Sequence, residues 1–198
     1  MIKIIKKNNS SPYIRFYECY ELAKKNLQDP IDAISISSFN KSLNEVEARF
    51  VNLKYINDDE WIFFSNYDSC KAKSFESHDQ ITALIYWNKT DTQIRIKAKI
   101  CKSNPQFSDN YFLQRSSLKN ALAISSNQSK RIDSYDSVVK KYNEILRIED
   151  TSKRPSYWGG YSFFPFYFEF WEGNSNRINK REIYNMKNDS WENFYLEP

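Results

Sequence analysis

The feature that most constrains the fold is an aromatic stretch near the C-terminus. Seven of the ten residues at 162–171 are aromatic, and a polar Gly-Asn pair follows at 173–174. Aromatic residues favour a pleated, half-buried surface, whereas Gly-Asn favours a turn. Extended runs then return at 181–186 and, after a turn, at 191–196. The pattern predicts three strands joined in sequence at this end of the chain.

Other segments repeat the two-residue period of a strand. Residues 93–100 alternate apolar and polar side chains most clearly, which indicates a strand with one buried face. The polar segment 57–60 predicts the turn of a hairpin. The further predicted strands are 33–39, 49–55, 61–65 and 81–87.

Helices are predicted at the start and in the middle of the chain. Ser11 is expected to cap the first helix, with Pro12 at its first position. Its apolar stripe has helical spacing and is extended by Leu27. The stripe consists of Tyr13, Phe16, Tyr17 and Tyr20. A short helix is expected after Ser69, and the longer ones are 107–119 and 134–146. The pattern therefore predicts an α+β protein, mainly β, with an antiparallel sheet or barrel.

Length, composition and net charge exclude several classes of protein. A chain of 198 residues with 40% apolar side chains is long enough to form one domain with its own core. We predict this domain at 11–198, preceded by a loose basic tail at 1–10. Three glycines leave no Gly-rich phosphate loop. A net charge of +4 is too small and dispersed for a nucleic-acid surface, and no apolar run is long enough to span a membrane.

Cysteine and histidine usage predicts the compartment and excludes some chemistry. The three cysteines are scattered, which predicts a reducing cytoplasm rather than a disulfide framework. His78 is the only histidine, so neither a serine–histidine triad nor a histidine-rich metal site is expected. We expect no bound metal.

Two places could bind an anion on residue types alone. Arg177 and Arg181 lie four residues apart beside Trp171, and guanidinium groups pair with planar anions and stack on rings. Ser69 and Lys71 stand at a helix start, where free amides attract anions. A rim hairpin with solvated charges and a solvated helix start explain the same residues equally simply.

The amino-acid sequence of the C-terminal segment resembles that of a known family. Phe168-Glu169-Phe170-Trp171, followed by Arg177-Ile178 and Arg181, is similar to the signature of the pyridoxine (pyridoxamine) 5′-phosphate oxidases. The preceding 154–161, with its Trp-Gly-Gly, resembles another element of that family. The resemblance runs from about residue 29 to 198. It implies a split β-barrel, an antiparallel Greek-key barrel flanked by helices, that forms homodimers and binds flavin mononucleotide (FMN) at the interface.

The resemblance also implies which residues bind FMN. They come from five strands, the start of a short helix and a polar loop. The positions that match are Arg49, Phe50, Val51, Asn52, Leu53, Lys54, Phe64, Ser65, Ser69, Lys71, Gln93, Gln128, Ser129, Trp171 and Arg181. Cys70 stands where the family usually has an arginine.

A second set matches the family's substrate site. Lys54, Tyr111 and Arg115 match the residues that grip the substrate phosphate, and Lys119 stands at the position of the family's serine. Arg177 and Asn179 match the catalytic pair over the substrate ring. Asn179 replaces a histidine, and Lys180 replaces an acidic or amide residue.

The resemblance implies an enzyme that oxidises pyridoxine or pyridoxamine 5′-phosphate to pyridoxal 5′-phosphate. Hydride passes to the flavin N5, and O2 is the final acceptor. Because the cofactor carries the redox chemistry, such a chain needs no nucleophile of its own. Two alternatives stay open: a related FMN oxidase of the phenazine-biosynthesis type, and a non-catalytic protein that binds FMN or pyridoxal phosphate.

Overall fold

The computed structural model describes residues 1–148 and 150–198, and in that part of the chain ten strands and five helices form a mainly β architecture. In chain order the elements are β1 (Lys3–Lys6), α1 (Ser11–Lys25), β2 (Ala33–Asn40), β3 (Glu45–Asn52), β4 (Tyr55–Asn57), β5 (Glu60–Asn66), α2 (Cys70–Ser77), β6 (Gln80–Trp87), β7 (Thr92–Lys102), α3 (Pro105–Gln114), α4 (Ser117–Ser125), α5 (Tyr135–Ile148), β8 (Trp158–Glu172), β9 (Lys180–Lys187) and β10 (Ser190–Leu196).

The strands form one sheet in the order β1-β4-β5-β8-β7-β6-β2-β3, and β9 joins β8 to β10. The long strand β8 organises it, because its first half pairs with β5, its second half with β9, and its length with β7. Of the strand pairs in the described residues, β1–β4 is parallel and the others are antiparallel. The predicted α+β, mainly β class is confirmed.

The core lies where α1 packs on the sheet. Tyr13 and Phe16 are fully buried against Trp61, with ring centroids 6.4 and 4.5 Å away. Strand β7 buries its isoleucines and turns its cations outward, as its alternation predicts. Replacing a buried aromatic side chain with alanine typically costs about 3–5 kcal/mol, so these rings fix the helix on the sheet. Leu27, predicted to extend the stripe, is exposed instead.

The N-terminal segment differs from the prediction of a loose basic tail. Residues Lys3–Lys6 form β1, which pairs with β4. Ile2 is buried, and Ile4 packs partly against the core. Ile2 and Ile4 face the core, whereas Lys3 and Ile5 are exposed, which is the alternation of a strand. The neighbouring lysines led to the prediction of a tail.

Two predicted elements are interrupted. The strand expected over 49–55 ends at Asn52 and resumes as β4. The helix expected over 107–119 ends at Gln114, and α4 starts after the Ser116 N-cap, whose side chain accepts a hydrogen bond from the Lys119 N–H. Similarly, α1 is capped at Ser10 rather than Ser11. The Ser116 cap explains the break between α3 and α4, whereas Ser10 makes no side-chain cap hydrogen bond, and its boundary differs from the prediction by one residue.

The Trp-Gly-Gly sequence at the start of β8 allows close packing beside α3. A Cβ atom at Gly159 would overlap the Tyr67 ring, whose hydroxyl donates to the Gly160 carbonyl at 3.1 Å. Glycine is therefore required where Tyr67 crosses the strand. No helix in the two described stretches is long and apolar enough to cross a membrane.

Candidate active site

A cavity of about 870 Å³ opens between β3, β5, the start of α2 and the α3–α4 region. Most of the predicted ligand-binding residues from the first two thirds of the chain line it. They are Arg49, Phe50, Val51, Asn52, Lys54, Phe64, Ser65, Lys71, Tyr111, Arg115, Lys119, Gln128 and Ser129. The structure thus brings the predicted cofactor and substrate sets together in one place.

The charge of this cavity is strongly unbalanced. Five cationic side chains line it, and the only acidic side chain among the described lining residues is Glu47. The cations are Arg49, Lys54, Lys71, Arg115 and Lys119. Charge-assisted hydrogen bonds to phosphate or carboxylate are the interactions that such a wall offers. The cavity is therefore suited to a ligand, or a pair of ligands, with several negative charges.

Lys71 marks the first cationic group. Its side chain is buried, and its Nζ donates to Ser65 Oγ at 3.0 Å and to Ser69 Oγ at 3.3 Å. Burial, and then the nearby Arg49 charge, lower the pKa of Lys71. Two neutral hydroxyls do not neutralise a buried ammonium, so this position favours an anion. Ser69 does not line the cavity itself and contacts it through Lys71.

Arg49 stands beside Lys71 with more of its donors already used. It donates to Ser38 Oγ at 2.7 Å and to the Ile36 carbonyl at 3.3 Å, and it pairs with Glu47 at 2.6 Å. Burial lowers the pKa of Arg49 despite that carboxylate. Because Glu47 is partly exposed, this pair is a weak competitor for a phosphate.

Arg115 marks the second cationic group. Its Nη2 donates to the Lys119 carbonyl at 2.9 Å, whereas its buried Nη1 has no hydrogen-bond partner. Burial lowers the pKa of Arg115, and Tyr111 partly offsets this effect. A buried guanidinium with an unused donor is typical of a site that expects an anionic ligand. Lys54, by contrast, is paired with Asp32 at 2.7 Å.

An aromatic stack forms part of the wall beside Arg115. The rings of Phe64 and Tyr111 are nearly parallel at 3.7 Å, and Trp158 lies nearly parallel to Phe64 at 5.3 Å. Trp158 and Cys70 line the cavity although the sequence did not single them out as ligand residues. The sequence feature that could have identified Trp158 is the Trp-Gly-Gly element, since Trp158 is its first residue.

Several predicted residues do not line this cavity. Leu53 is buried in the main core. Gln93 pairs with Trp171 across β7 and β8, and Trp171 pairs with Arg181 across β8 and β9. Directly paired residues share one face of a sheet, so these three form a row. The row lies apart from the cavity of its own chain.

Arg181 is already engaged within its own sheet. Its Nε pairs with Glu169 at 2.9 Å, and its Nη1 donates to the Glu197 carbonyl at 2.9 Å. Glu169 is buried and also pairs with Arg95. Burial alone would raise the pKa of Glu169, but the bonds to Arg181 and Arg95 outweigh this effect and lower it.

Arg177 and Asn179 lie in the loop between β8 and β9, outside the cavity. Arg177 has a positive φ of 61°, and its N–H donates to the Asn174 carbonyl at 2.9 Å. The Asn179 Oδ1 accepts a hydrogen bond from the Asn174 N–H at 3.1 Å. Asn179 therefore closes its own loop in this chain. No group of three or more possible metal ligands occurs in residues 1–148 or 150–198.

The chain is similar in sequence to known proteins along almost its whole length. Residues 158–198 match the model of the pyridoxine 5′-phosphate oxidase C-terminal dimerisation region. Pyridoxine/pyridoxamine 5′-phosphate oxidase 1 of Hydrogenovibrio crunogenus is 33% identical over 96% of this chain and 89% of its own length. The corresponding oxidase of Rippkaea orientalis is 34% identical over 96% of this chain and 91% of that protein. This chain belongs to the pyridoxine/pyridoxamine 5′-phosphate oxidase family.

Solved structures of members and relatives of this oxidase family share the fold. PhzG from Burkholderia lata 383, in complex with tetrahydrophenazine-1-carboxylic acid, matches with a TM-score of 0.89 at 22% identity and covers 96% of this chain and 93% of its own. A related FMN-binding protein from Nostoc punctiforme matches with a TM-score of 0.78 at 11% identity, over 96% and 99%. These likenesses confirm the expected split β-barrel.

Proposed function

We propose that this protein is an FMN-dependent oxidase that converts pyridoxine or pyridoxamine 5′-phosphate to pyridoxal 5′-phosphate, with O2 as acceptor. The observation that carries the proposal is the charge of the cavity, in which five cations face one acidic side chain. FMN and a phosphorylated substrate together bring two phosphates, and two separate cationic groups are present to bind them. The identity of the curated relatives supports the same reaction.

The donor set fits FMN. Lys71, with Ser65 and Arg49, offers a buried cation that has hydroxyl partners, and we assign this group to the cofactor phosphate. Strand β3 provides the wall along which the ring system would lie, because Phe50 and Val51 line the cavity there. Bound FMN supplies the hydride acceptor and passes the electrons to O2.

The second group suits the substrate phosphate. Arg115 has an unused donor, Lys119 lies beside it, and Tyr111 provides a hydroxyl. Lys54 would share its charge between Asp32 and the ligand. These residues hold and orient the substrate, and orientation against the flavin is the main task of the protein in such a reaction.

The functional unit that we propose is a homodimer. The Gln93, Trp171 and Arg181 row lies outside its own cavity, and so do Arg177 and Asn179. The matched family region is described as a dimerisation region. In a two-fold dimer, the row of one chain completes the cavity of the other. Arg177 and Asn179 then cover the substrate ring.

A related FMN oxidase of the phenazine type is the second candidate. Its support is the structural likeness to PhzG together with Asn179, which stands at the family's histidine position and closes its own loop. Arg115 would bind a carboxylate as readily as a phosphate. Phosphate dependence separates the two candidates.

The test is oxidation by the purified holoprotein. We expect flavin absorbance to bleach anaerobically with pyridoxine or pyridoxamine phosphate and peroxide to appear on admission of air. Unphosphorylated pyridoxine should react far more slowly. Bound flavin that no B6 phosphate reduces would contradict the proposal. Reduction by a tetrahydrophenazine carboxylate, the class of ligand bound in PhzG, would then favour the second candidate. No reduction by either would favour a non-catalytic binder.

A further inference from the structure

The guanidinium of Arg115 rests on the face of Trp158. Its Cζ atom lies 4.3 Å from the Trp158 ring centroid and 5.4 Å from that of Phe112. No acidic side chain in the described residues forms an ion pair with Arg115, and its one hydrogen bond goes to the Lys119 carbonyl. Apart from that carbonyl, the negative face of the indole is the electrostatic partner that the guanidinium contacts.

Trp158 is itself held firmly. It is buried, and its backbone pairs with Asn66 at the junction of β5 and β8. Its ring lies nearly parallel to that of Phe64 and edge-on to that of Phe112. The Trp158 carbonyl accepts a hydrogen bond of 2.6 Å from Arg154. A ring fixed on several sides can hold a flexible arginine in one orientation.

We infer that Trp158 is a positioning residue for substrate binding, because it supports the Arg115 guanidinium with Nη1 left free for an anionic ligand. This inference rests on the proposed function, in which Arg115 binds the substrate phosphate. Without the indole, Arg115 would sample other rotamers and lose part of its affinity for the ligand. Trp158 thereby acts on binding and not on the flavin chemistry.

The test compares Trp158→Leu and Trp158→Phe in the FMN-loaded protein. The leucine variant should raise KM for pyridoxamine phosphate and Kd for pyridoxal phosphate by about tenfold, with kcat nearly unchanged, whereas the phenylalanine variant should recover most of the affinity. Binding of unphosphorylated pyridoxal and of FMN should not change. Tyr157→Leu is the matched control, because it removes a ring from the same cluster whose hydroxyl donates to the Ile124 carbonyl, whereas the cation–π contacts of Arg115 are with Trp158 and Phe112. If the leucine variant does not fold, Trp158→Met replaces it.

A double-mutant cycle with Arg115→Ala separates this inference from the proposed function. We expect Trp158→Leu to cause no further loss of pyridoxal phosphate affinity in the Arg115→Ala background. An equal tenfold loss in both backgrounds would overturn the role of Trp158 through Arg115. The inference would also fail if Arg115→Ala weakened pyridoxal phosphate binding and Trp158→Leu did not. That result would leave the proposed function intact. If Arg115→Ala itself changes nothing, both the substrate assignment and the inference fail.

Discussion

The ammonium group of Lys71 donates a hydrogen bond of 3.0 Å to the hydroxyl of Ser65, at a buried position without a carboxylate partner among the described residues. Burial lowers the pKa of Lys71, which means that the folded protein disfavours its charged form. A dianionic phosphate bound at this point would reverse that penalty. The pair is therefore arranged for a ligand rather than for stability.

Replacing Lys71 by methionine should weaken FMN binding by about tenfold to a hundredfold, because a charge-assisted hydrogen bond is worth roughly 1.5–3 kcal/mol. The apoprotein should become more stable at neutral pH. Since the folded-state pKa lies below the unfolded value of 10.5, the penalty is full below the folded pKa and disappears as pH rises towards 10.5. Flavin titration and urea unfolding at neutral and alkaline pH measure both effects.

Lys73→Met is the matched control for Lys71, since Lys73 lies on the same helix and is exposed. It should change neither FMN affinity nor the pH dependence of unfolding. If the Lys71 variant bound FMN as tightly as the parent protein, the assignment of this group to the cofactor phosphate would be wrong.

Two variants that fail separately should restore activity when they are mixed. Lys71→Met damages the cavity, whereas Trp171→Ala damages the row that we assign to the partner chain's site. Random exchange between the two homodimers should leave about a quarter of all sites intact. Peroxide release after refolding the mixture, compared with each variant alone, gives the result. Light scattering of the parent protein should show a dimer.

Complementation depends on the two defects lying in different chains of one site. Lys71→Met mixed with Ser65→Ala should give no recovery, because both changes lie in the same cavity. Absence of recovery in the first mixture as well, despite confirmed exchange, would mean that a single chain supplies the whole site.

Glu169 should contribute to stability through its two arginine partners. Glu169→Gln leaves Arg95 and Arg181 without their shared carboxylate, and we expect a loss of about 2 kcal/mol at pH 7. The pKa of Glu169 is lowered below its usual 4.5, so its contribution is present above that value and is lost as pH falls through the folded pKa. The difference from the parent protein in urea unfolding, at matched protein concentration, should therefore shrink in acid.

An exposed carboxylate provides the comparison for Glu169. Glu192 pairs with Lys187 at 3.4 Å on the surface, and Glu192→Gln should change stability little at any pH. A Glu169 variant as stable as this control at pH 7 would contradict the ion-pair argument.

The sequence predicted best those strands that have one buried face and one exposed face. Strand β7 buries Ile94 and Ile96 and turns Arg95 outward, so its period of two was visible without a structure. The same reasoning missed β1, where lysines flank the isoleucines, and it missed the break after Gln114. That break depends on the Ser116 cap, a local hydrogen bond that competes with helix propensity.

The sequence predicted some parts of the candidate site better than others, because some depend on residues close along the chain and others on strand register. Residues on β3, β5 and the start of α2 are close along the chain, because β4 follows β3 directly and forms a hairpin with β5. The row of Gln93, Trp171 and Arg181 depends on the register of three strands, which the sequence alone does not specify. The hydrogen bond between Asn179 and Asn174 depends on a loop conformation that no periodicity reveals.

Asn179 stands at the family's histidine position. Asparagine is shorter than imidazole and carries no charge, so in the proposed dimer it would make a weaker contact with the substrate ring than a histidine would. Asn179→His should raise kcat/KM for pyridoxamine phosphate by about tenfold if it restores one transition-state contact worth roughly 1.4 kcal/mol. Peroxide release with pyridoxine phosphate and with pyridoxamine phosphate, measured for the parent protein and for Asn179→His, gives the ratio of their kcat/KM values.

The loop role of Asn179 requires its own control. Asn179→Asp keeps the oxygen that accepts the Asn174 N–H, so the loop should keep its conformation while the side chain loses its amide donor. We expect this variant to match the parent protein in thermal unfolding and to oxidise B6 phosphates no faster than the parent. If Asn179→His left B6 oxidation negligible and also abolished turnover of a tetrahydrophenazine carboxylate, Asn179 would mark the phenazine-type substrate. A gain in B6 oxidation would instead identify the asparagine as the element that slows this enzyme.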